Sequence, residues 1–471
     1  LQDNAALQAA SESNGQLLLL RFIEPSLIND PHYDERHWRF IQQSVQDLNV
    51  RLAPQHLKVL LIHDEVIPFF SKLHKRLGIG AIYSHEETGL RITCKRDQAV
   101  TRFCEEHGIK WKEFQTNGIT RGLQDRKQWA KLWHEHMLAP QIKTSLESVT
   151  PVDPTEISDL IPPEETVRDN DSFQRGGESE AHGLLQSFLQ QRHHRYMTHI
   201  SKPEASRASC SRLSAHLAWG NLSIRQVYQA TLVAREKGGS AFQLRNFESR
   251  LHWHCHFIQK FEMEDRIELE NFNRGFDEFP VKFNPAYFEA WSEGKTGFPL
   301  VDACMRCLKS TGYVNFRMRS MLISFWCHHL LQPWKPAALH LAKLFLDFEP
   351  GIHYGQIQMQ SARTGINTIR IYNPVKQSQE HDPKGAFSKR WIPELEGFPE
   401  NFIHEPWRLT DMERTLYGLE DLKYPAPIID IEASGKRARE VLWSWMERPE
   451  VKKEATRILK KHTLPGRKRM E

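Results

Sequence analysis

Between residues 15 and 117, short apolar runs alternate with longer segments of helical spacing. Residues 17–25 form a mostly apolar run, and residues 37–53 then set Trp38, Ile41, Val45, Leu48 and Leu52 on one side of a helical period. Residues 57–64 predict a second strand, 66–77 a helix, 81–85 a short strand, 91–107 a helix and 109–114 a last strand. Strands separated by helices of this length point to parallel pairing, and so to a doubly wound α/β sheet. No Gly-x-Gly-x-x-Gly follows any of them, so this half carries no dinucleotide fingerprint.

The periodicity lapses over residues 140–180, where residues 151–172 are rich in Pro, Asp, Glu and Ser and read as a surface connection. From residue 181 onward strand patterns nearly vanish. Helical spacing governs residues 184–191, 223–235, 242–262, 299–308, 317–331 and 335–345, and predicts an all-α domain to about residue 462. The expected organisation is an α/β domain over residues 1–130, a linker over 131–180, and a helical domain with a basic tail over 181–471.

Composition narrows the class. A chain of 471 residues with 39% hydrophobic and 26% charged side chains is expected to be a soluble globular protein of two or three domains. Its longest apolar runs, 17–20 and 59–62, fall far short of the ~20 residues of a membrane span. No secretory pattern opens the sequence, which points to the cytoplasm. The seven cysteines are scattered, which argues against a disulfide framework and for a reducing compartment. Residues 451–471 hold eight basic side chains against two acidic ones, so the net charge of +4 leaves the rest of the chain slightly acidic. Such a tail suits nucleic-acid contact or a solvated terminus equally well.

Chemistry concentrates in the helical half. Residues 211–223 run Ser-Arg-Leu-Ser-Ala-His and onward, small hydroxyl residues ahead of a helix that can hold phosphate oxygens or simply cap it. Residues 291–303 (Trp-Ser-Glu-Gly-Lys-Thr-Gly-Phe-Pro-Leu-Val-Asp-Ala) and 312–319 (Gly-Tyr-Val-Asn-Phe-Arg-Met-Arg) follow, then Ile-Tyr-Asn-Pro from Ile371 and Arg-Trp-Ile-Pro-Glu-Leu from Arg390. This ordered set resembles the FAD domain of DNA photolyases and cryptochromes, in the bacterial photolyase form. The resemblance is strong over residues 181–400 and looser over the α/β half.

The resemblance implies a U-shaped FAD. Tyr196, Ser211, Arg212, Leu213 and Ser214 match positions holding its phosphates, ribose or adenine, and Cys210 stands where relatives carry Thr. His254 takes the place of an Arg near the phosphates. Arg319 and Asp347 match an Arg–Asp pair beside the isoalloxazine, where a fixed cation favours the anionic reduced ring. Glu349 replaces an Asp near the flavin edge, and His353 takes the position facing N5, where its charge could follow pH and redox state. The partner implied is DNA containing pyrimidine dimers, bound by a monomer.

Several positions depart from that pattern. Trp253 matches the aromatic wall on which a flipped dimer stacks. The dimer-binding Glu, however, is Arg250; an Asn-Arg pair reads Phe316-Arg317; and a contact Met is Ser320. Arg250 could meet a backbone phosphate or a thymine carbonyl instead. Asn315 precedes Phe316, so the His-His pair of the (6-4) enzymes is absent. The three tryptophans that relay electrons in relatives are Val281, Ile357 and Met359 here, which leaves Trp326, Tyr354, Tyr372 and Trp391 as substitutes or as packing.

Three further signals carry less. His252 and His256 have the spacing of metal ligands, but on a helix lining the flavin cavity no metal is expected. Cys304 and Cys307 lack a second pair and read as packing. Residues 85–89 follow a strand at the edge where doubly wound sheets hold ligands, the place for an antenna chromophore of unknown identity or for an ordinary polar loop. Relatives also begin with a strand before a segment like residues 1–7. A parallel sheet without an inner strand would expose backbone donors, so a preceding strand is expected.

Overall fold

The computed structural model describes residues 1–161, 168–421 and 424–463. Linker residues 162–167 and the basic residues Arg467, Lys468 and Arg469 lie outside the described residues. The chain divides into two compact units, one comprising Leu1–Gln190, Leu213–Glu268 and Leu346–Ile352, the other Gln191–Arg212, Leu269–Phe345 and His353–Glu471.

The first unit holds the strands β1 (Leu19–Phe22), β2 (Val59–Ile62), β3 (Ala81–His85) and β4 (Lys110–Phe114). Its longer helices are α1 (Ala5–Ser11), α2 (Glu35–Leu52), α3 (Val66–Leu77), α4 (Arg91–His107), α5 (Trp129–Leu138), α6 (Glu178–Gln190), α7 (Ile224–Glu236) and α8 (Ala241–Met263). The α/β alternation that the sequence predicts is present, and both pairings are parallel, β1 with β2 and β3 with β4. They form two pairs rather than one continuous sheet. A cavity of about 1310 Å³ is lined by every residue of β1 and of β3. Since neighbouring residues of a strand point to opposite faces, lining by both parities means that these strands meet the cavity edge-on.

Local chemistry fixes the elements. Asp34 and His37 form a reciprocal cap at the start of α2, and Gly108 ends α4 in the left-handed region at φ 66°. Leu60, Ile62, Phe69, Val100 and Phe103 fuse β2, α3 and α4 into one core. Helix α8 is tied in by its buried Gln259, which accepts from Thr120 N at 2.7 Å and donates to Thr120 O at 2.9 Å. Trp219 donates its indole N–H to the Leu346 carbonyl at 2.8 Å, holding the segment 346–352 to the same unit.

The second unit is helical, with no strand among the described residues. It includes α9 (Pro299–Thr311), α10 (Phe316–Ser324), α11 (Trp334–Leu344), the greater part of α12 (Pro350–Gln360), α13 (Ile431–Met446) and α14 (Pro449–His462). The motif at 291–303 proves to be a buried knot. Asp302 accepts from Thr296 N at 2.8 Å, Thr296 Oγ1 at 2.6 Å, Gly297 N at 3.0 Å and the Tyr424 hydroxyl at 2.6 Å. Burial nevertheless pushes its carboxyl up to about 6. A side chain on Gly297 would come within 2.5 Å of the Ala426 backbone, so only glycine fits there. Phe276, Phe279, Leu442, Trp445 and Val451 pack a second core.

Candidate functional site

In the first unit, α8 carries three of the expected site residues. Arg250 and Trp253 are three residues apart on its exposed side, with the indole 38% exposed. The Trp253 ring is backed by His256 at 4.8 Å and Phe257 at 5.8 Å between centroids. His254 turns to a different side. Its Nδ1 is shut off from solvent without a hydrogen-bond partner, and burial lowers the imidazole to about 4 against the pull of the Asp347 carboxylate. At pH 7 it is therefore neutral, with one buried ring nitrogen still to be satisfied. Glu349 is buried, and the loss of solvent, reinforced by Glu87, raises its carboxyl to about 8. Leu213 is buried and Ser214 exposed, at the start of a short helix.

The second unit holds the rest. Tyr196 is buried at the head of a short helical turn. The Cys210 thiol is pushed up to about 12 by burial, so it stays protonated, and Arg192 donates to the carbonyls of Cys210 and Ser211. Arg212 follows at φ 62° with its guanidinium 3.6 Å above the Tyr313 ring. Asn315 caps α10 by accepting from Met318 N at 3.0 Å and donates to Ser206 Oγ at 3.2 Å, so this position is spent on structure. Phe316, the first residue of α10, is exposed, and Arg317 sits 5.7 Å from the Tyr372 ring. Arg319 donates Nε–H to the Val314 carbonyl at 2.9 Å and lies 4.1 Å over Phe345. His353 meets the Ala338 carbonyl at 2.9 Å through Nε2, which fixes the proton on that nitrogen, and its ring packs on Phe345 and Tyr354.

Arg319 and His353 thus share the ring of Phe345 in the second unit, whereas Asp347, Glu349 and His254 belong to the first. Ser320 is buried and donates its hydroxyl to the Phe316 carbonyl at 3.1 Å, back-bonding within its own helix. His252 packs on Trp129 at 5.0 Å and Trp133 at 4.8 Å, and Cys304 and Cys307 are fully buried in α9. Residues 85–89 line the large cavity of the first unit together with Glu349. Beside them Arg96 pairs with Glu24 and Glu87, each at 2.9 Å. Two side chains escape sequence reasoning: Arg126, wholly buried against His256, and Asp302 at its knot. Arg126 lies in a run of alternating polar and charged residues that looks like any solvated loop.

A family model described as the FAD binding domain of DNA photolyase matches residues 247–444, and one described as DNA photolyase matches residues 1–124. The buried, unsatisfied nitrogen of the neutral His254 suits a polar cofactor group, in keeping with FAD as the cofactor. A deoxyribodipyrimidine photo-lyase of Alkalihalophilus pseudofirmus is 32% identical over 271 residues, 56% of this chain. The match spans only 54% of that relative's length. A deoxyribodipyrimidine photo-lyase of Vibrio cholerae is 27% identical over 470 residues, 93% of this chain and 95% of the relative. Among solved structures, a cryptochrome of Synechocystis sp. PCC6803 shares the fold with a TM-score of 0.82 at 23% identity, over 93% of this chain and 96% of its own. Motif order, fold and both family matches agree: the chain belongs to the DNA photolyase/cryptochrome family.

Proposed function

We propose that the protein is a light-driven DNA photolyase that repairs pyrimidine dimers. The observation that supports this most is Trp253, an indole held 38% exposed three residues from Arg250 and backed by the rings of His256 and Phe257. An exposed flat ring beside a guanidinium is a seat for an extruded base, stacked on one side and held at its phosphate or carbonyl on the other. Trp253 is that wall and Arg250 the polar contact. Phe316 and Arg317 supply an apolar edge and a second cation at the lesion pocket.

Bound in its reduced form and excited by blue light, FAD supplies a one-electron donor to the dimer. The chain's residues prepare that event. Tyr196, Cys210, Ser211, Arg212, Leu213, Ser214 and neutral His254 hold the phosphate, ribose and adenine side. Arg319 and Asp347 would flank the isoalloxazine, with Glu349 at its edge and His353 opposite N5. A cation fixed there lowers the energy of the reduced anionic ring. No acid, base or nucleophile is needed for dimer splitting, and none is assigned. The domain organisation proposed is an α/β antenna domain over residues 1–130, a linker over 131–180 and the FAD domain over 181–471. Residues 85–89 at the large cavity are the seat proposed for a second, antenna chromophore.

A second reading, a cryptochrome-like photoreceptor without repair, is favoured by three substitutions: Arg250, Phe316 and Ser320 stand where dimer contacts are carried in relatives. One assay separates the two. The reduced protein is illuminated with dimer-containing single- and double-stranded oligonucleotides, and restored thymine absorbance is followed. Repair of either substrate is expected; no repair of both, with FAD fully reduced, leaves the photoreceptor.

A further inference from the structure

Arg126 stands between β4 and α5 with its side chain 0% exposed. Its guanidinium lies 4.0 Å over the Trp129 ring, and Nη1 donates to His256 Nδ1 at 2.8 Å. Nε and Nη2 are closed off from solvent and hydrogen-bond nothing. No neighbouring carboxylate offsets the charge among the described residues, and burial alone lowers it to about 9, which leaves it protonated at neutral pH. A guanidinium kept dry without a counter-ion is costly, and a methionine or leucine would fill the same space at less expense.

His256 carries that charge toward the surface. A guanidinium can only donate, so Nδ1 must offer its lone pair and the imidazole proton sits on Nε2. Protonation of His256 would set two cations in contact, and the neighbouring His252 is likewise held neutral, lowered to about 4 by burial and by Arg126. The neutral His256 ring lies 4.8 Å from Trp253, the exposed indole. Cation, imidazole and indole form one contiguous series, the imidazole tilted 56° to the indole, all within the first unit, and its last member faces solvent.

We propose that Arg126 is a positioning residue for Trp253: it fixes the imidazole that backs the indole and sets a positive charge behind it, so that the exposed indole face seats an aromatic ring that carries or receives negative charge. The inference rests on Trp253 being a stacking platform, as the proposed repair function requires. In that function the ring on the platform is the pyrimidine that takes up one electron and later returns it. A permanent positive charge behind the indole favours the electron-rich ring and opposes loss of an electron from Trp253 itself.

The test uses the FAD-loaded protein and two small probes, uracil and its anionic analogue orotate. Their affinities are measured for wild type, Trp253→Ala, Arg126→Met and Arg126→Lys, with His256 followed by nitrogen NMR. Trp253→Ala is expected to abolish binding of both probes. Arg126→Met should lower the orotate-to-uracil affinity ratio about tenfold and release His256 into a titrating mixture of tautomers, whereas Arg126→Lys keeps the ratio. An unchanged ratio in Arg126→Met, with Trp253→Ala still abolishing binding, overturns the inference and leaves the platform standing. Binding untouched by Trp253→Ala overturns the platform, and the inference with it. If Arg126→Met fails to take up FAD, Arg126→Lys decides alone: a retained ratio supports the charge, a lost one refutes it.

Discussion

Glu349 is a carboxyl whose ordinary value near 4.5 is raised to about 8 because it is buried first, and because Glu87 is near it second. The folded protein therefore prefers the neutral acid, while the unfolded chain ionises it above about 4.5. A raised folded value means the stabilisation is complete at low pH and is lost as pH climbs toward 8, at up to about 1.4 kcal/mol per pH unit across that window. Glu349→Gln removes the titration. Its thermal midpoint is expected to decline less than that of wild type between pH 5 and 8 and to exceed it at pH 9; parallel curves would show that the carboxyl is solvated. Site residues that belong to a sequence motif, such as Arg319 in Gly-Tyr-Val-Asn-Phe-Arg-Met-Arg, are legible from the order of residues alone. Arg126 is not, because nothing in Gln-Asp-Arg-Lys-Gln distinguishes a buried cation from a surface one. Ser320 reads as a lost lesion contact in the sequence, and its hydroxyl turns out to be occupied by its own helix.

Helix positions are readable from periodicity to within a few residues, since α3, α4 and α11 each bury one regular face. The spacing over 317–331 predicts one helix, whereas α10 ends at Ser324 and a π-helical turn, Phe325–His329, follows. That turn aims His329 at Ser434 Oγ, 2.9 Å away, and at the Tyr372 carbonyl, 3.0 Å away, tying three segments together. Periodicity cannot reveal such partners, because they lie far off in sequence. The same holds where elements touch. Gly351 lies in the first turn of α12, and a Cβ on it would stand 2.7 Å from Ile258 Cα and 3.2 Å from Phe261 Cβ in α8. Helix propensity alone favours Ala over Gly by about 1 kcal/mol. The contact reverses that sign, because the obstacle is backbone and overpacking costs about 1–3 kcal/mol. Gly351→Ala is expected to destabilise by about 1–2 kcal/mol in urea unfolding; a stabilised variant would mean that the two helices separate freely.

At the scale of the molecule, the proposed function requires electrons to travel from a reductant in solvent to the bound flavin, and the three positions that the family resemblance assigns to that relay are Val281, Ile357 and Met359. None of these side chains gives up an electron readily, so the route must use other rings. Within the second unit two aromatic pairs offer themselves. Trp291 and Trp326 lie 5.2 Å apart, but both are 0% exposed, and the exposed ring that Trp326 meets, Phe283 at 6.3 Å, is a phenylalanine that does not give up an electron readily. The other series starts at His353, passes to Tyr354 at 5.4 Å and to Trp334 at 6.1 Å, whose indole N–H reaches the half-buried Asn271 at 2.9 Å. That series begins at the position proposed to face flavin N5 and ends near solvent, as a relay must. Tyr354→Phe and Trp334→Phe are each expected to slow photoreduction of bound FAD by a thiol about tenfold, a barrier change of about 1.4 kcal/mol, and Trp326→Phe to leave it unchanged. Loss of oxidised-flavin absorbance under continuous blue light measures the rate, and transient absorption identifies the radical. An unaltered rate in Tyr354→Phe, with FAD bound in full, would send the search back to Trp326, for then depth rather than an exit governs the path.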